Sequence, residues 1–257
     1  MLQTIQKAGE LLALFDREHA EWGVREAAGK LKIAKSSTHD LMSSLAKLGF
    51  LNKTEDSRYR LGWRLVTLSE TLLATTELRK EAHPVIEDLA VEYQETIHLA
   101  ILDDTQAVYV DKFEGRQAVR VELTSLGARL YAHCSALGKV LLAYQEENEV
   151  KRIIQAAGLP RFTDNTITDE DDLMQNLVKI RKQGFAYDLE EILPDLCCVA
   201  APVYDYTGNV IAAISMSVPA FRFRRSQADF CDGVMRAAKK ISKRLGYYGT
   251  PQKASKK

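Results

Sequence analysis

With 257 residues, 46% of them hydrophobic and 27% charged, and with 35 Lys and Arg balancing 35 Asp and Glu, the chain has the make-up of a two-domain globular protein. Nowhere does an apolar run approach the roughly 18 residues of a membrane span, and MLQTIQKAGELLALF reads as an amphipathic helix rather than a secretory leader, so no membrane partner and a cytoplasmic location are expected. Cys134, Cys197, Cys198 and Cys231 have neither CxxC spacing nor the density of a disulfide scaffold, and reduced thiols are expected.

Charge is distributed unevenly. Residues 1–80 hold 13 Lys and Arg against 10 Asp and Glu, a mild positive bias that permits contact with nucleic acid without demonstrating it. Ile5, Ala8, Leu11, Leu12 and Phe15 recur at helical spacing and predict a first helix that completes a three-helix core, and Trp22-Gly23 then turns the chain. The stretch VREAAGKLKIAKSSTHDLMSSLAKLGFL predicts two short helices, Val24 to Leu31 and Ser36 to Leu48, bridged by Lys32, Ile33 and Ala34. Leu41, Leu45 and Leu48 share the face of the second helix expected to pack on the first. At about 100° per residue, the opposite face shows Ser36, His39, Ser43 and Lys47, flanked by Lys35 and Asp40.

Such a face is polar and without bulk, and a helix carrying it fits a DNA major groove, where Ser, His and Lys reach base edges and phosphates. Gly49 is expected to cap the helix in a left-handed conformation. Phe50 to Lys53 then returns around Thr54 to Ser57 as Arg58 to Leu61, a two-stranded wing whose Lys53, Arg58 and Arg60 lie beside the DNA backbone. A helix pair with one leucine face is also an ordinary structural unit; the wing is what favours DNA. The expected DNA-contacting set is Lys35, Ser36, Ser37, Thr38, His39, Asp40, Ser43, Lys47, Arg58 and Arg60.

Further on, Leu65, Leu68, Leu72 and Leu73 form a narrow apolar seam in a run free of Gly and Pro up to Pro84. Such a seam suits a connecting helix that pairs with its copy in a dimer, and equally a contact with its own wing or with the next domain. Pro84 opens a helical pattern of Val85, Ile86, Leu89 and Tyr93. Alternating strands follow at Ile97 to Ile101, Ala107 to Phe113 and Val119 to Leu123. Short connections between them predict an antiparallel sheet. Helices are expected at Ser135 to Ala143 and Glu146 to Ala157, and from a Thr168/Asp171 capping box to Gly184. Strands are expected at Phe185 to Tyr187, Cys198 to Tyr204 and Val210 to Val218, and a last helix runs from Phe230 to Leu245 before a disordered basic tail, residues 249–257.

His133, Cys134, Asp188, Glu190, Glu191, Cys197 and Cys198 invite comparison with a metal or Cys/His site. Adjacent strand cysteines point to opposite faces, no HxxxH or CxxC pattern supports them, and Val199, Ala200 and Ala201 read as a buried strand, so neither a metal nor a catalytic residue nor a cofactor is expected. Glu190-Glu191 reads as a solvated or capping pair close to Asp188. The competing reading is a metabolite-binding module, or a Cys/His enzyme, with a merely structural helix pair.

Taken together, IAKSSTHDLMSSLAKLGFL, RYRLGWRL, HPVIEDLA, CSALGKVLLA, IRKQGFAYDLEE, CCVAAPVYDYTGNVIAAISMSVP and the terminal ISKRLG occur in an order that resembles the IclR family of bacterial transcription regulators, over residues 1–248. The resemblance implies a winged helix-turn-helix over 1–62, a linker and dimerisation helix over 63–82, and an α+β effector domain over 83–248 with an antiparallel GAF-like or profilin-like sheet. It also implies a double-stranded operator and a homodimer or tetramer, with repression the expected mode of action. Asp40 stands where the family usually has Arg; its charge repels phosphate but accepts from a cytosine amino group. A small organic acid is expected between Cys134, Ser135, Ala136 and Leu137 on one side and Ser215 and Ser217, which share a strand face, on the other. The resemblance implies backbone amides of Ala136 and Leu137, polar contacts from Asp188, Ser215 and Ser217, and a wall of Leu196 and Cys198.

Overall fold

The computed structural model describes residues 2–116 and 125–249. It divides into two compact units, Met1–Thr75 and Thr76–Lys257. The expected strand at Val119 to Leu123 and the expected tail beyond Gly249 lie outside the described residues.

In the first unit, α1 (Gln3–Leu12), α2 (Val24–Leu31) and α3 (Lys35–Lys47) pack around Leu11, Ala27, Met42 and Leu45. Two features of this core differ from expectation. Ile5 and Leu48 are exposed, and α3 buries Thr38, Met42 and Leu45, with Leu41 half-buried. A stripe at i, i+4, i+7 rotated one position from the leucines won, because Met fills irregular space as well as Leu does. The wing has three strands: β1 (Glu21–Trp22), β2 (Leu51–Lys53) and β3 (Tyr59–Leu61) in the order β1-β3-β2, so Trp22 pairs with Tyr59 where a turn was expected. Gly49, at φ +80°, takes the left-handed position expected of it after α3.

The run from 63 to 82 holds two helices. The first, α4 (Arg64–Thr75), is followed by extended backbone at Thr76, where α5 (Glu77–Tyr93) begins. Pro84 therefore lies inside α5, seven residues after its start. The missing N–H is tolerated because Ala82, Val85, Ile86, Leu89 and Ala90 are all buried, and packing outweighs the local cost.

In the second unit, six strands form one antiparallel sheet. They are β4 (Thr96–Asp103), β5 (Gln106–Phe113), β6 (Arg129–Tyr131), β7 (Ala186–Leu189), β8 (Leu196–Tyr204) and β9 (Val210–Pro219), in the order β6-β5-β4-β9-β8-β7. One face carries Ile97, Leu99, Val199, Ile214 and Met216 and is covered by α5 and by α9 (Ala220–Arg244). The C-terminal helix thus begins ten residues before Phe230, with a break at Ser226. The other face is lined by small residues, Ala100, Ala186, Ala200 and Ala213, and is covered by α6 (Ala136–Ala143), α7 (Glu147–Ala157) and α8 (Glu170–Gln183). Small side chains let α6, buried at every position, approach the sheet closely. The cap of α8 is Asp169 rather than Thr168; its carboxylate accepts from the N–H groups of Asp171 and Asp172.

Candidate functional site

In the first unit the candidate surface is the outer side of α3. Lys35, Ser36, Ser37, His39, Asp40 and Lys47 are exposed and Ser43 is half-buried, so the structure brings these expected contacts onto one accessible helix. Ala34 supplies no capping side chain, which leaves the first-turn N–H groups of α3 open to an outside acceptor such as a phosphate. The Asp40 carboxylate stands 3.6 Å from His39 Nδ1. Two expected contacts are placed otherwise. Thr38 is fully buried and its hydroxyl donates to Ala34 O at 3.1 Å, because the packing stripe passes through it. Arg58 grips Glu26 with both terminal nitrogens, at 3.1 and 2.7 Å, and donates to Glu21 O, which fastens the wing to the start of α2; Arg60 remains exposed. The same guanidinium holds the Glu26 carboxyl below its usual range, helped by the Gly23 N–H.

In the second unit, strand register assembles a polar patch in an apolar face. Asp188, Cys198, Ser217 and Thr96 form one row across β7, β8, β9 and β4, and Ala200, Ser215 and His98 form the next. Above the patch stands the N-terminus of α6. Ser135 caps it, accepting the Gly138 N–H at 3.0 Å, so the N–H groups of Ala136 and Leu137 keep no helical partner. Gly138 is what allows this position, because a Cβ there would lie 2.4 Å from the Ala132 backbone. Between helix end and strands lies a cavity. Ser135, Ala136, Leu137, Asp188, Leu196, Cys198, Ser215 and Ser217 all line it.

Cys134 does not line the cavity; it is buried with its thiol turned to Tyr131 O at 3.7 Å. Tyr109, Leu130, Ile192 and Leu193 complete the wall. Sequence reading missed all four. The Ile192-Leu193 pair after two glutamates was the signal available, since adjacent apolar residues in a polar turn are seldom left in water.

Glu190-Glu191 is not a solvated pair. Glu191 is buried and its Oε1 takes the ammonium of Lys139, itself buried within α6, while its backbone N–H donates to Asp188 at 2.7 Å. Thr163 and Thr166 hold the carbonyls of Glu190 and Glu191, each at 2.6 Å. These contacts anchor the turn that carries Ile192 and Leu193. Burial pushes the Asp188 carboxyl up to about 7, the Glu191 charge adding to it. Burial likewise raises Glu191, against the pull of Lys139.

The cysteines are protonated thiols. Burial lifts Cys134 to about 12, Cys197 to about 11 and Cys198 well above its usual range. Cys197 enters the α5/α9 core while Cys198 faces the cavity. His133 is buried with Nε2 3.1 Å from Pro160 O, and burial lowers its pKa. Among the described residues no group of three or more His, Cys, Asp or Glu is placed to hold a metal ion.

Comparison with known proteins covers both units. Residues 4–55 match the IclR helix-turn-helix domain, and residues 70–243 match the bacterial transcriptional regulator IclR C-terminal domain. The HTH-type transcriptional repressor AllR of Salmonella typhi is 31% identical over 248 residues, 95% of this chain and 90% of AllR. The crystal structure of Thermotoga maritima IclR is 32% identical and aligns over 96% of this chain and all of that one, with a TM-score of 0.74. An IclR homolog from Microbacterium hydrocarbonoxydans, complexed with 4-hydroxybenzoate, is 23% identical and shares the fold, with a TM-score of 0.82 over 94% of this chain and 98% of its own.

Proposed function

The chain belongs to the IclR family of bacterial transcriptional regulators, and on that premise we propose that it is a repressor that grips a roughly palindromic operator as a homodimer and is tuned by a small carboxylate in the α6 cavity. The family is one of DNA-binding regulators and not of enzymes. The observation that carries the finer reading is convergence: the open amides of Ala136 and Leu137 and the hydroxyls of Ser215 and Ser217 meet in one cavity whose remaining walls are largely apolar. Amides at a helix N-terminus suit an anion, and hydroxyls on one strand face share a single ligand. Relatives support both halves, since AllR is named a repressor and the ligand of the Microbacterium protein is itself a carboxylate. On the DNA side, Ser36, His39 and Ser43 read bases, while Lys35, Lys47 and Arg60 neutralise phosphate.

Residues 63–82 serve the dimer in this reading. Leu68 and Leu72 of α4 are 45% and 66% exposed, a large apolar area for one surface helix. Leu68→Asp is expected to separate the subunits and abolish operator binding together, as read by sedimentation and gel shift.

The decisive experiment is a thermal-shift screen of 2-oxo, sugar and aromatic acids on the full chain, followed by operator binding. A ligand at a hundred times its Kd stabilises by about 2.7 kcal/mol. The S215A/S217A double variant is expected to fold and bind operator but lose that response; an unchanged response places the carboxylate elsewhere.

A further inference from the structure

We propose that His98 sets the hydrogen-bond polarity of the cavity: it donates to Ser217, which leaves the Ser217 hydroxyl proton for the ligand and makes the site select a carboxylate over the matching uncharged amide. This rests on the carboxylate reading above and adds a residue that does not itself line the cavity.

The geometry is a short relay beneath the ligand space. His98 lies on β4 directly across from Ser215, 1% exposed, its ring centroid 4.8 Å from that of Tyr109. Its Nδ1 stands 3.5 Å from Ser217 Oγ, and Cys198 Sγ stands 3.2 Å from the same oxygen. Nε2 is buried and has no hydrogen-bond partner among the described residues. Burial, assisted by the charge of Lys112, keeps the ring neutral by pulling its pKa down to about 3.

A neutral imidazole has one N–H and one bare nitrogen, and the surroundings choose between them. Placing hydrogen on Nε2 would bury an N–H without a protein acceptor. Placing it on Nδ1 leaves only a bare lone pair unpaired there, the less costly orphan, and pairs the N–H with Ser217. Cys198, held as a thiol, has its S–H to offer to the second lone pair of that oxygen. With both lone pairs accepting, the one proton of Ser217 is directed into the cavity that Ser217 lines. A carboxylate only accepts, so it matches. An amide NH2 presented to this hydroxyl meets donor with donor, and specificity follows from that mismatch.

Two measurements on the full-length protein test this. The first is the long-range proton–nitrogen spectrum of protein labelled with nitrogen-15 histidine; the chain has five His, and the His98 signals are those absent from His98→Asn. A neutral ring with hydrogen on Nδ1, unchanged between pH 5 and 8, is expected; hydrogen on Nε2 overturns the inference and leaves the carboxylate reading standing. The second is calorimetry with pyruvate against pyruvamide and 4-hydroxybenzoate against 4-hydroxybenzamide. Wild type is expected to prefer the acid by about tenfold or more, the usual worth of one hydrogen bond to a charged group. Asn keeps a donor where Nδ1 sits, so His98→Asn is expected to stay within about twofold of that preference, and His98→Leu to lose about tenfold of it, keeping only what the Ala136 and Leu137 amides contribute. Undiminished preference in His98→Leu overturns the role of His98. Failure of both acids to bind wild type overturns the carboxylate reading, and this inference falls with it. Should His98→Leu fail to fold, the tautomer and His98→Asn still decide.

Discussion

The two candidate sites place polar residues in opposite physical settings. On α3 the groups stand in water, held by a helix whose core stripe lies on the other side, so each side chain is nearly independent of fold stability. Around the α6 cavity, Asp188, Ser215, Lys139, Glu191 and His98 are buried, and hydrogen bonds join Lys139 to Glu191 and Glu191 to Asp188. An interface that must be salt-sensitive and quickly reversible uses the first arrangement; a pocket that must tell one small molecule from another uses the second. Substitutions should therefore separate function from stability on α3, and fail to separate them around the cavity wherever a buried charge loses its partner.

The sharpest way to break that contrast is Lys139→Met. It strands Glu191, whose Oε2 already lacks a partner among the described residues, in an apolar setting. Removing one member of a buried pair typically costs about 3–5 kcal/mol, whereas replacing both with apolar residues of similar size is often neutral. Thermal unfolding is expected to show residues 76–257 strongly destabilised by K139M and most of the loss recovered in K139M/E191M. If K139M unfolds like wild type, the buried pair is not what anchors the turn at Ile192 and Leu193.

Legibility in the sequence divides along the same line. Helical period placed α2, α3 and the exposed residues Ser36, His39 and Lys47, because a solvated face is the complement of a stripe that the sequence displays. It missed the stripe by one position, since Met42 and Thr38 compete with Leu41 and Leu48 and only packing against α1 and α2 decides. In the cavity, strand alternation put Ser215 and Ser217 on one face and the family resemblance made them ligand contacts, but the row Asp188, Cys198, Ser217, Thr96 depends on strand order, which periodicity does not encode. His98 stayed hidden for the same reason: it looks like an ordinary strand residue until β4 is laid beside β9. Lys139 was hidden by its own chemistry, a lysine in an apolar helix whose partner lies 52 residues away.

Asp188 gives a second, intermediate test. A carboxyl raised to about 7 in the fold, against about 3.9 when free, stabilises the protein below the free value, and that contribution is lost as pH rises from about 4 through 7. Asp188→Asn keeps an acceptor for the Glu191 N–H and removes the titration. It is expected to match wild type in acid and to exceed its stability above pH 7. The same charge repels a carboxylate ligand, so wild-type affinity for such a probe should fall as pH rises past 7, by up to about tenfold per unit, while D188N stays flat. Parallel pH profiles for the two proteins would show that Asp188 does not face the ligand.

The smallest effects are expected on the DNA side, where Lys47 and Arg58 make a matched pair of cations. Lys47 is exposed on α3. Arg58 is occupied by Glu26 and by the carbonyl of Glu21, and joins the wing to α2. If Lys47 meets a phosphate, Lys47→Ala releases one fewer counterion on binding and lowers the slope of log affinity against log salt by about 0.9. Stability should change by less than about 0.5 kcal/mol, as for most surface substitutions. Arg58→Ala should do the reverse: the salt slope stays, while residues 1–75 unfold at a lower temperature because Glu26 loses both bonds and the wing its tie to α2. Fluorescence anisotropy on an operator selected from genomic DNA fragments with the purified protein, over a range of salt and with thermal melts of each variant, measures both. A reduced slope in R58A with an unchanged melt would put that guanidinium on the DNA and make the bridge to Glu26 incidental to the fold.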